Sequence, residues 1–400
     1  MLNGSNGENK TLRDNKTVRD KTLRDTKTVP SVVSANKNAD EPFDVISFCK
    51  RHFRVDAWAN ERSQVYTVRE LLALIDGAIE AFKKDESLAT LSPPCTIVGD
   101  IHGQYRDLIR ILFSRHDNID PKNLKAARHM EKFGVENATT SRFMFLGDFV
   151  DRGPFSVECI CLVFCLKIIY PKQYILLRGN HETKAINFAY GFREELMNKL
   201  GQNEGVDVWE KFNEAFAWMP VAGLIGGKIL CMHGGISPGL NSLADIRAIE
   251  RPLADVNDNK LALDLLWSDP IDNLNINSIN DRPQYIKNVV RGLSCCFNDA
   301  AIAETIKKLN IDLIVRAHQV QDNGFKFSRD RKLITVFSAP RYMLENDNLG
   351  AVLKIRENGS LSIKLLKASS RNLKSDRGKG TPKSDKSKTS GSSKSSSLTT

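Results

Sequence analysis

Residues 95–103 read Cys-Thr-Ile-Val-Gly-Asp-Ile-His-Gly, an apolar run that ends in glycine, a carboxylate and an imidazole. The first four residues are typical of a buried strand, because such strands are short, apolar and bounded by turn residues. Gly99 and Gly103 let the backbone turn sharply and approach a ligand closely on either side of Asp100 and His102. This stretch therefore predicts a strand that carries chemistry at its carboxyl end.

Four further apolar runs end in a similar way. These runs are Phe143–Leu146, Tyr174–Leu177, Ile229–Met232 and Leu313–Val315, and a sixth strand is predicted at Leu333–Phe337. The residues that closely follow the four runs are Asp148, Asp151 and Arg152, then Asn180 and His181, then His233, and finally His318. Ligand sites gather where the carboxyl ends of strands meet their loops in open α/β sheets. Because five strand ends carry ligand-type residues, we expect them to form one shared site.

Helical patterns separate several of the predicted strands. They span Tyr105–Phe113, Ser156–Ile169, Asp207–Ala217 and Ala300–Leu309. A capping box formed by Thr67 and Glu70 opens a further amphipathic run to about Lys84. Asn358-Gly359, between alternating stretches, predicts a hairpin turn. The sequence therefore predicts a layered α/β domain with a mixed or antiparallel sheet component.

The residues at the strand ends are suited to metal-assisted phosphoryl chemistry. Carboxylates mixed with imidazoles favour Mn, Fe or Zn over Ca or a thiolate site. Two such ions about 3.5–4 Å apart can share a carboxylate and a water and clamp an in-line phosphoryl displacement. Arg152 and Arg291 offer forked donors for phosphate oxygens. His181 is available as a proton donor to the leaving group if a carboxylate orients it, and Asp151 is the nearest candidate.

The formal charge of +10 is concentrated at the two ends of the 400-residue chain. Residues 1–29 carry seven Lys/Arg against four acids, and residues 367–400 carry nine against two. The part between them is formally neutral and lacks the basic surface that polynucleotide binding needs. We therefore expect no specific nucleic-acid partner.

The composition also bears on location and domain organisation. No apolar run approaches the ~20 residues of a membrane helix, and the first residues lack the apolar core of a signal peptide. We expect no membrane partner and a cytoplasmic and/or nuclear location, where the eight cysteines stay reduced thiols. Residues 1–40, with repeated Lys-Thr-Leu/Val-Arg-Asp units, are predicted to be a disordered basic arm, and residues 368–400 a disordered Lys/Ser-rich tail. Residues 41–367 form the predicted globular domain.

The motifs, taken together, resemble those of a known family. They are Gly99-Asp-Ile-His-Gly103, Gly147-Asp-Phe-Val-Asp-Arg-Gly153, Arg178-Gly-Asn-His-Glu182, Met232-His-Gly-Gly235, Leu266-Trp-Ser-Asp-Pro270, Arg316-Ala-His-Gln319 and Phe337-Ser-Ala-Pro340. From about Phe43 to Lys367 the chain resembles the metal-dependent phosphoprotein phosphatases that act on Ser and Thr, and most closely their type-1 catalytic subunits. This resemblance implies an α/β metallophosphoesterase-type β-sandwich of two mixed sheets flanked by helices, with a dinuclear metal site at the strand ends.

The resemblance also implies roles for individual residues. It implies two divalent ions of the Mn, Fe or Zn class, with Mn expected in vitro. Their implied ligands are Asp100, His102, Asp148, Asn180, His233 and His318. Asp148 is implied to bridge both ions. The implied phosphate-binding residues are Arg152, Arg291, Asn180 and Tyr342. A metal-bridging hydroxide would attack phosphoserine or phosphothreonine in a protein substrate, and His181, oriented by Asp151, would protonate the departing oxygen. Residue 182, a glutamate, is interpreted as a structural partner of its loop.

The chain departs from the family pattern at the rim of this site. Arg341 adds a cation, and Met343 replaces a cysteine that natural toxins of this enzyme class attack. The stretches 116–141 and 271–288 are longer than in the type-1 enzymes, which indicates altered substrate docking. Positions that match the type-1 docking groove for regulatory subunits remain apolar, namely Ile229, Leu313, Phe327, Leu361 and Ile363. Simple core packing is the alternative explanation for these five residues.

Two other functions stay open at this point. A nuclease or other metallophosphodiesterase would share the aspartate, asparagine and histidine ligands, although the paired arginines and the Ser-Ala-Pro motif favour a monoesterase. A catalytically weak scaffold of the same fold would keep the groove while its altered rim blunts activity.

Overall fold

The computed structural model describes residues 42–58, 63–113, 135, 142–271 and 283–368. All helices and strands given below belong to one compact unit that begins at Phe43. The predicted arm and tail, and most of the stretches 116–141 and 271–288, lie outside the described residues, so the predictions about them stay predictions.

Two large mixed sheets form the centre of this unit. The six-stranded sheet has the order β1 (Leu88–Leu91), β5 (Ala222–Ile225), β6 (Ile229–Met232), β10 (Leu313–Arg316), β12 (Leu333–Val336) and β11 (Phe325–Phe327). The five-stranded sheet has the order β14 (Leu361–Leu366), β13 (Gly350–Ile355), β2 (Cys95–Val98), β3 (Phe143–Phe145) and β4 (Tyr174–Leu176). Strands β2, β3 and β4 are parallel, as are β6, β10 and β12. Parallel pairing brings their carboxyl ends to common edges.

A small third sheet is formed by strands that come between β6 and β10 in the sequence. It has the order β7 (Asp269–Pro270), β9 (Cys295–Phe297) and β8 (Tyr285–Lys287). Its importance is local, because β7 contains Asp269, and Arg291 lies between β8 and β9.

The two large sheets pack face to face across an apolar layer. Along β6, Ile229 and Cys231 point into this inner layer, whereas Leu230 and Met232 point to the outer face. Because both faces of the central strands are covered, these strands are continuous apolar runs in the sequence and do not alternate with polar residues.

Helices cover both outer faces of the sandwich. They are α1 (Val45–His52), α2 (Val55–Trp58), α3 (Val68–Phe82), α4 (Tyr105–Leu112), α5 (Ser156–Ile169), α6 (Lys184–Ala189), α7 (Phe192–Leu200), α8 (Gln202–Ala217), α9 (Leu243–Arg247), α10 (Lys260–Trp267) and α11 (Asp299–Leu309). Helices α3, α5 and α8 share an apolar cluster with the five-stranded sheet, and α9, α10 and α11 share another with the six-stranded sheet. The predicted α/β sandwich of two mixed sheets flanked by helices is confirmed.

The predicted elements agree closely with the structure. All six predicted strands are present with bounds within one residue, and the capping box of Thr67 and Glu70 opens α3. The hairpin at Asn358-Gly359 joins β13 to β14, with Gly359 at φ +79°. The helix expected to begin at Asp207 begins instead at Gln202. The first turn was missed because it contains Gly205, and glycine is a poor helix former. The structure nevertheless requires glycine at this position, because a Cβ would lie 2.5 Å from the Cα of Met197 in α7.

None of the helices in the described ranges has the length and apolar character needed to cross a membrane.

Candidate active site

The predicted strand-end residues meet at one place, where the carboxyl ends of both large sheets come together. A β-bridge between Asp100, just after β2, and Phe337, just after β12, joins the two sheets at this point. Asp148 and Asn180 follow β3 and β4 in one sheet, and His233 follows β6 in the other. The sandwich therefore delivers ligand-type side chains to the site from two sides.

Two glycines allow the loops after β3 and β4 to lie against each other. A Cβ on Gly147, which has φ +103°, would lie 2.3 Å from the backbone nitrogen of Gly179. A Cβ on Gly179 would lie 2.3 Å from Oδ1 of Asp148. Any larger side chain would therefore displace Asp148, the residue at the centre of the site.

The Asp148 carboxylate is surrounded by imidazoles. Its Oδ2 lies 3.4 Å from Nε2 of His102 and 3.4 Å from Nε2 of His233. The same oxygen lies 4.0 Å from Nε2 of His181, whose backbone nitrogen donates to Oδ1 of Asp148 at 2.9 Å. Asp148 is only 2% exposed, so these groups interact away from bulk water.

Backbone carbonyls orient the first two of these imidazoles. Nδ1 of His102 lies 2.9 Å from the carbonyl oxygen of Val150, and Nδ1 of His233 lies 3.0 Å from that of Leu146. Since a carbonyl can only accept, each Nδ1 carries the proton and each Nε2 presents a lone pair to the centre. This tautomer is the one that binds a metal through Nε2.

The second side of the site is formed by His233, His318 and Asn180. Nε2 of His233 lies 2.8 Å from Oδ1 of Asn180 and 3.0 Å from Nδ1 of His318. Nε2 of His318 is buried without a hydrogen-bond partner. The three atoms that converge are thus Oδ1 of Asn180, Nε2 of His233 and Nδ1 of His318, an arrangement that a cation would satisfy.

Asp100 lies beside His102, next to the candidate metal ligands. Its Oδ2 lies 3.8 Å from Nε2 of His102, and its Oδ1 accepts the backbone N–H of His318 at 3.0 Å. Burial, reinforced by the nearby Asp148 carboxylate, raises the pKa of Asp100 to about 6. Burial lowers the pKa of His102 to about 3, which keeps its imidazole neutral, the form that binds metals.

The residues present fit a dinuclear metal site. Two groups have ligand atoms close enough to share an ion: His102, Asp148 and His181, and Asp148, His233 and His318. Asp148 belongs to both, as expected of a bridging carboxylate. The first group contains His181, whereas the resemblance implies Asp100 as a ligand together with His102 and Asp148. Asp100 lies next to this group, with its Oδ2 3.8 Å from Nε2 of His102. Oxygen and imidazole donors together suit Mn, Fe or Zn.

His181 and Asp151 form a buried pair at the edge of the candidate metal ligands. Nδ1 of His181 lies 2.6 Å from Oδ2 of Asp151, whose Oδ1 accepts the backbone N–H of Phe192 at 2.9 Å. Burial opposes protonation of His181, but the carboxylates of Asp148 and Asp151 outweigh it and raise the pKa of His181 above its ordinary value. The pair therefore presents Nε2 with a proton toward the centre.

The predicted phosphate-binding residues surround the centre on different sides. The Arg152 guanidinium is exposed and lies 4.0 Å from the ring centroid of Tyr190, on the His181 side. Arg291 donates from Nη2 to the carbonyl oxygen of His318 at 3.2 Å, on the opposite side of the ligand set. The ring of Tyr342 lies 5.1 Å from that of His102.

Sequence reasoning did not assign a role to Asp269, which holds two of the arginines. Its Oδ2 accepts from Nε of Arg291 and its Oδ1 from Nη2 of the buried Arg316, both at 3.0 Å. The Trp-Ser-Asp-Pro motif contained the signal, but only the fold shows that Asp269 faces Arg291.

The interpretation of Glu182 as a structural residue is confirmed. Its carboxylate accepts the backbone N–H groups of Asp148 at 2.7 Å, Phe149 at 2.8 Å and Gly179 at 3.0 Å. Glu182 therefore joins the loops that follow β3 and β4.

The five predicted groove residues lie at the other end of the strands. Ile229 and Leu313 are paired in register at the first positions of β6 and β10 and are buried. Phe327 and Ile363 are half-buried against the layer between the sheets, and Leu361 is exposed. Core packing therefore describes the first two residues, while the other three stay accessible.

Comparison with known proteins agrees with this geometry. A family model of calcineurin-like phosphoesterases matches residues 93–322. The chain therefore belongs to the calcineurin-like phosphoesterase family, and the strand-end ligands lie within the matched range.

Relatives place the chain more narrowly. It is 36% identical over 334 residues to the Serine/threonine-protein phosphatase PP1-delta of Caenorhabditis elegans, covering 83% of this chain and 98% of that protein. It is 40% identical over 304 residues to an uncharacterised protein of the same organism, covering 76% of this chain and 86% of that protein. A solved serine/threonine phosphatase from Saccharomyces cerevisiae superposes with a TM-score of 0.63 at 28% identity, covering 78% of this chain and 95% of that one. The chain is thus a homologue of the phosphoprotein phosphatases, as its motifs indicated.

Proposed function

We propose that this protein hydrolyses phosphoserine and phosphothreonine in protein substrates. The observation that carries the proposal is the buried Asp148 carboxylate, in reach of three imidazoles, beside the His181–Asp151 pair. A phosphoryl group needs an activated nucleophile, neutralisation of its charge and a proton for the leaving oxygen, and this cluster has residues for each.

Six residues would hold the two metal ions in this proposal: Asp100, His102, Asp148, Asn180, His233 and His318. When bound, two divalent ions activate a water molecule as the nucleophile and neutralise charge on the phosphate. Mn²⁺ is the ion we expect to support activity in vitro, since the donor set suits ions of that class.

Arg152, Arg291, Asn180 and Tyr342 would position the phosphate. Arg291 is held at Nε by Asp269 and at Nη2 by the His318 carbonyl, so its guanidinium is fixed close to a metal ligand. Arg152 is held from the other side by stacking on Tyr190. Two arginines on opposite sides can clamp the phosphate in line with the attacking water.

His181 would donate a proton to the departing seryl or threonyl oxygen. Asp151 holds Nδ1 of His181, which fixes the ring and leaves Nε2–H as the donor. The alkoxide of serine is a poor leaving group, so this proton transfer matters far more for phosphoserine than for an activated aryl phosphate.

The first experiment is metal-dependent phosphate release from a phosphoserine peptide. The purified full chain, loaded with Mn²⁺, is expected to release phosphate, to lose activity with a chelator and to regain it with Mn²⁺. Bis(p-nitrophenyl) phosphate, a diester, serves as the competing substrate. Preferred hydrolysis of the diester would support a phosphodiesterase, and no hydrolysis by a folded, metal-loaded protein would support a scaffold.

We also propose that regulatory subunits dock at the apolar groove. The accessible residues Phe327, Leu361 and Ile363 support this, since an apolar peptide could bury them. A labelled docking peptide from a type-1 regulatory subunit is expected to bind the wild type and to lose affinity with Leu361→Asp. The matched variant Leu365→Asp, at another exposed position of β14, should keep the affinity; equal binding by all three proteins would contradict the proposal.

A further inference from the structure

The turn that contains Asp151 has an unfavourable backbone conformation. Asp151 and Arg152 have φ of +71° and +69°, so two consecutive residues other than glycine lie in the left-handed region. Such residues cost free energy and keep this conformation only where the surrounding contacts fix it. The contacts around this turn therefore decide where the Asp151 carboxylate, the partner of His181, is placed.

The contacts that fix this turn come from the starts of two helices. The backbone N–H of Asp151 donates to Oγ of Ser156, the first residue of α5, at 3.1 Å. Oδ1 of Asp151 accepts the backbone N–H of Phe192, the first residue of α7, at 2.9 Å. The backbone N–H of Arg152 donates to the carbonyl oxygen of Tyr190, just before α7, at 3.1 Å. The position of the Asp151 carboxylate therefore depends on how the starts of α5 and α7 are placed relative to each other.

Glu195 joins the starts of these two helices. It lies in the first turn of α7, and its carboxylate accepts the backbone N–H of Ser156 at 2.8 Å and that of Val157 at 3.1 Å, one on each oxygen. The first N–H groups of a helix have no partner within the helix, and the residue at the N-cap of α5, Phe155, has no side chain that accepts them. The cap of α5 is thus supplied by a side chain from the neighbouring helix.

We propose that Glu195 is a positioning residue for proton transfer to the leaving group. It fixes the start of α5 against α7 and thereby holds Asp151 where it orients His181. The inference rests on the proposed function, in which His181 is the proton donor. Nδ1 of His181 lies 2.6 Å from Oδ2 of Asp151, so the imidazole follows any displacement of the carboxylate. Because proton transfer requires alignment of the donor with the departing oxygen, a small displacement would slow it.

The test compares Glu195→Gln with the wild type on two substrates. Glutamine keeps the size of the side chain but turns one acceptor oxygen into an NH₂ group, so only one of the two bonds to α5 can survive. We expect kcat for a phosphoserine peptide to fall about tenfold with little change in KM, a part of the loss caused by removal of a general acid. The rate with p-nitrophenyl phosphate, whose leaving group needs no proton, should fall less than about twofold. Rates are normalised to the folded fraction and the bound metal.

A double-mutant cycle distinguishes positioning from a purely structural role. In a His181→Asn background no proton donor is left to misplace, so Glu195→Gln should change the peptide rate by less than about twofold. A substitution that only loosens the fold would lower the peptide rate by the same factor in both backgrounds.

Two further variants support this test. Ser156→Ala removes the hydroxyl that accepts the backbone N–H of Asp151 and leaves both bonds of Glu195 in place. It should show the same dependence on the substrate, which keeps the proposal testable if Glu195→Gln does not fold. Asp245→Asn is the matched control, because Oδ2 of Asp245 accepts two backbone N–H groups at the start of α9, each at 2.8 Å. Its rates with both substrates should equal those of the wild type.

The two substrates also separate this proposal from the proposed function. If the folded, metal-loaded wild type hydrolyses neither substrate, the proposed function fails. If the wild type hydrolyses both, but Glu195→Gln keeps the full peptide rate or loses the same factor on both substrates, the function stands and the positioning role is wrong. A tenfold loss that persists in the His181→Asn background would likewise overturn it.

Discussion

The floor and the rim of the candidate active site are built from neighbouring strand ends, yet their side chains are held very differently. On the floor, Asp148, Asp151 and His233 are almost fully buried and each has a hydrogen-bond partner from another loop. On the rim, Met343 and Leu344 expose 42% and 56% of their surface. The floor is thus fixed by the fold, whereas the rim can change without disturbing it.

This contrast has a physical cause in the contacts that hold the backbone. Left-handed backbone occurs in both regions, at φ of +55° and +71° for Asp148 and Asp151 and of +56° and +63° for Met343 and Leu344. Such conformations cost free energy for residues other than glycine. On the floor, burial and hydrogen bonds from other loops offset this cost, whereas the side chains of Met343 and Leu344 are exposed. We therefore expect floor substitutions to abolish activity and rim substitutions to alter specificity.

The largest effect is expected for Asp148→Asn. The change removes a charge shared by both metal-ligand groups while it keeps the size of the side chain. We expect metal affinity to fall by roughly a hundredfold or more, and phosphate release from a phosphoserine peptide to fall at least as far. Metal content after dialysis and turnover at saturating Mn²⁺ measure the two effects separately.

A surface aspartate provides the control for this variant. Asp56→Asn removes an exposed carboxylate that pairs with Arg54, and metal content and turnover should both stay at the wild-type level. Retention of two bound ions and full activity in Asp148→Asn would contradict the role given to the bridging carboxylate.

His181→Asn and Asp151→Asn are expected to have the next largest effect, and one that depends on the leaving group. Loss of a general acid costs roughly 10²- to 10⁴-fold with a poor leaving group. The phosphoserine peptide should therefore lose far more rate than p-nitrophenyl phosphate, whose leaving group needs no proton. Equal losses on both substrates would show that the pair supports binding and not proton transfer.

Asp269→Asn tests whether Asp269 holds the Arg291 guanidinium in position for the phosphate. With its charged partner gone, Arg291 is less firmly oriented, and we expect KM for a phosphoserine peptide to rise about tenfold with a smaller change in kcat. Asp85→Asn is the matched control: it breaks the ion pair of another partly buried carboxylate, with Lys167, and should leave KM unchanged. An unchanged KM in Asp269→Asn would contradict the proposed role of Asp269 in orienting Arg291.

The same residue predicts a pH dependence of stability. Burial opposes ionisation of Asp269, but Arg316 and Arg291 outweigh it and lower the pKa of Asp269. A lowered pKa in the folded state stabilises the protein fully above the unfolded-state pKa of about 4, and this contribution is lost as the pH falls through the folded-state value. The unfolding free energy of Asp269→Asn should therefore fall less steeply than that of the wild type at acidic pH, as denaturant titrations would measure.

The smallest effect is expected at the rim itself. In Leu344→Gly, the strain of the left-handed conformation is relieved, but glycine loses more backbone entropy on folding than leucine does. The two effects offset each other, so the unfolding free energy should stay within about 0.5 kcal/mol of the wild type. Leu365→Gly, at a similarly exposed position of strand β14, gains no such relief and should lose about 1 kcal/mol. Equal losses in the two variants would contradict the strain inferred at residue 344.

The floor was predictable from sequence because its residues follow strands that are themselves easy to recognise. His233 comes directly after Ile229–Met232, a run buried on both faces, and the same holds for Asp148 after β3. By contrast, β5 was missed because Ala222 and Gly223 have weak strand propensity. The structure explains this composition, since a Cβ on Gly223 would lie 2.5 Å from the Met144 side chain.

The missing parts of the site depend on contacts that are distant in sequence. Asp269 meets Arg291 and Arg316 only after the small third sheet has formed, and no local pattern announces that meeting. A cavity that opens beside the site is likewise lined by both Arg106 from α4 and Arg341, more than two hundred residues later. The family resemblance indicated that residue 341 was unusual, but the sequence did not show which residues it would join.

Glu182 has a consequence for how the site loses its order. Because one carboxylate accepts the amide protons of Asp148, Phe149 and Gly179, neither of the two loops can open without breaking the bonds of the other. These three amides should therefore exchange with solvent deuterium as one cooperative unit, at a rate set by unfolding of the unit and not by local fraying. Partially opened molecules would lose Asp148 and Asn180, the candidate ligands on these two loops, together, so an intermediate that keeps only one of the two loops in place would not accumulate.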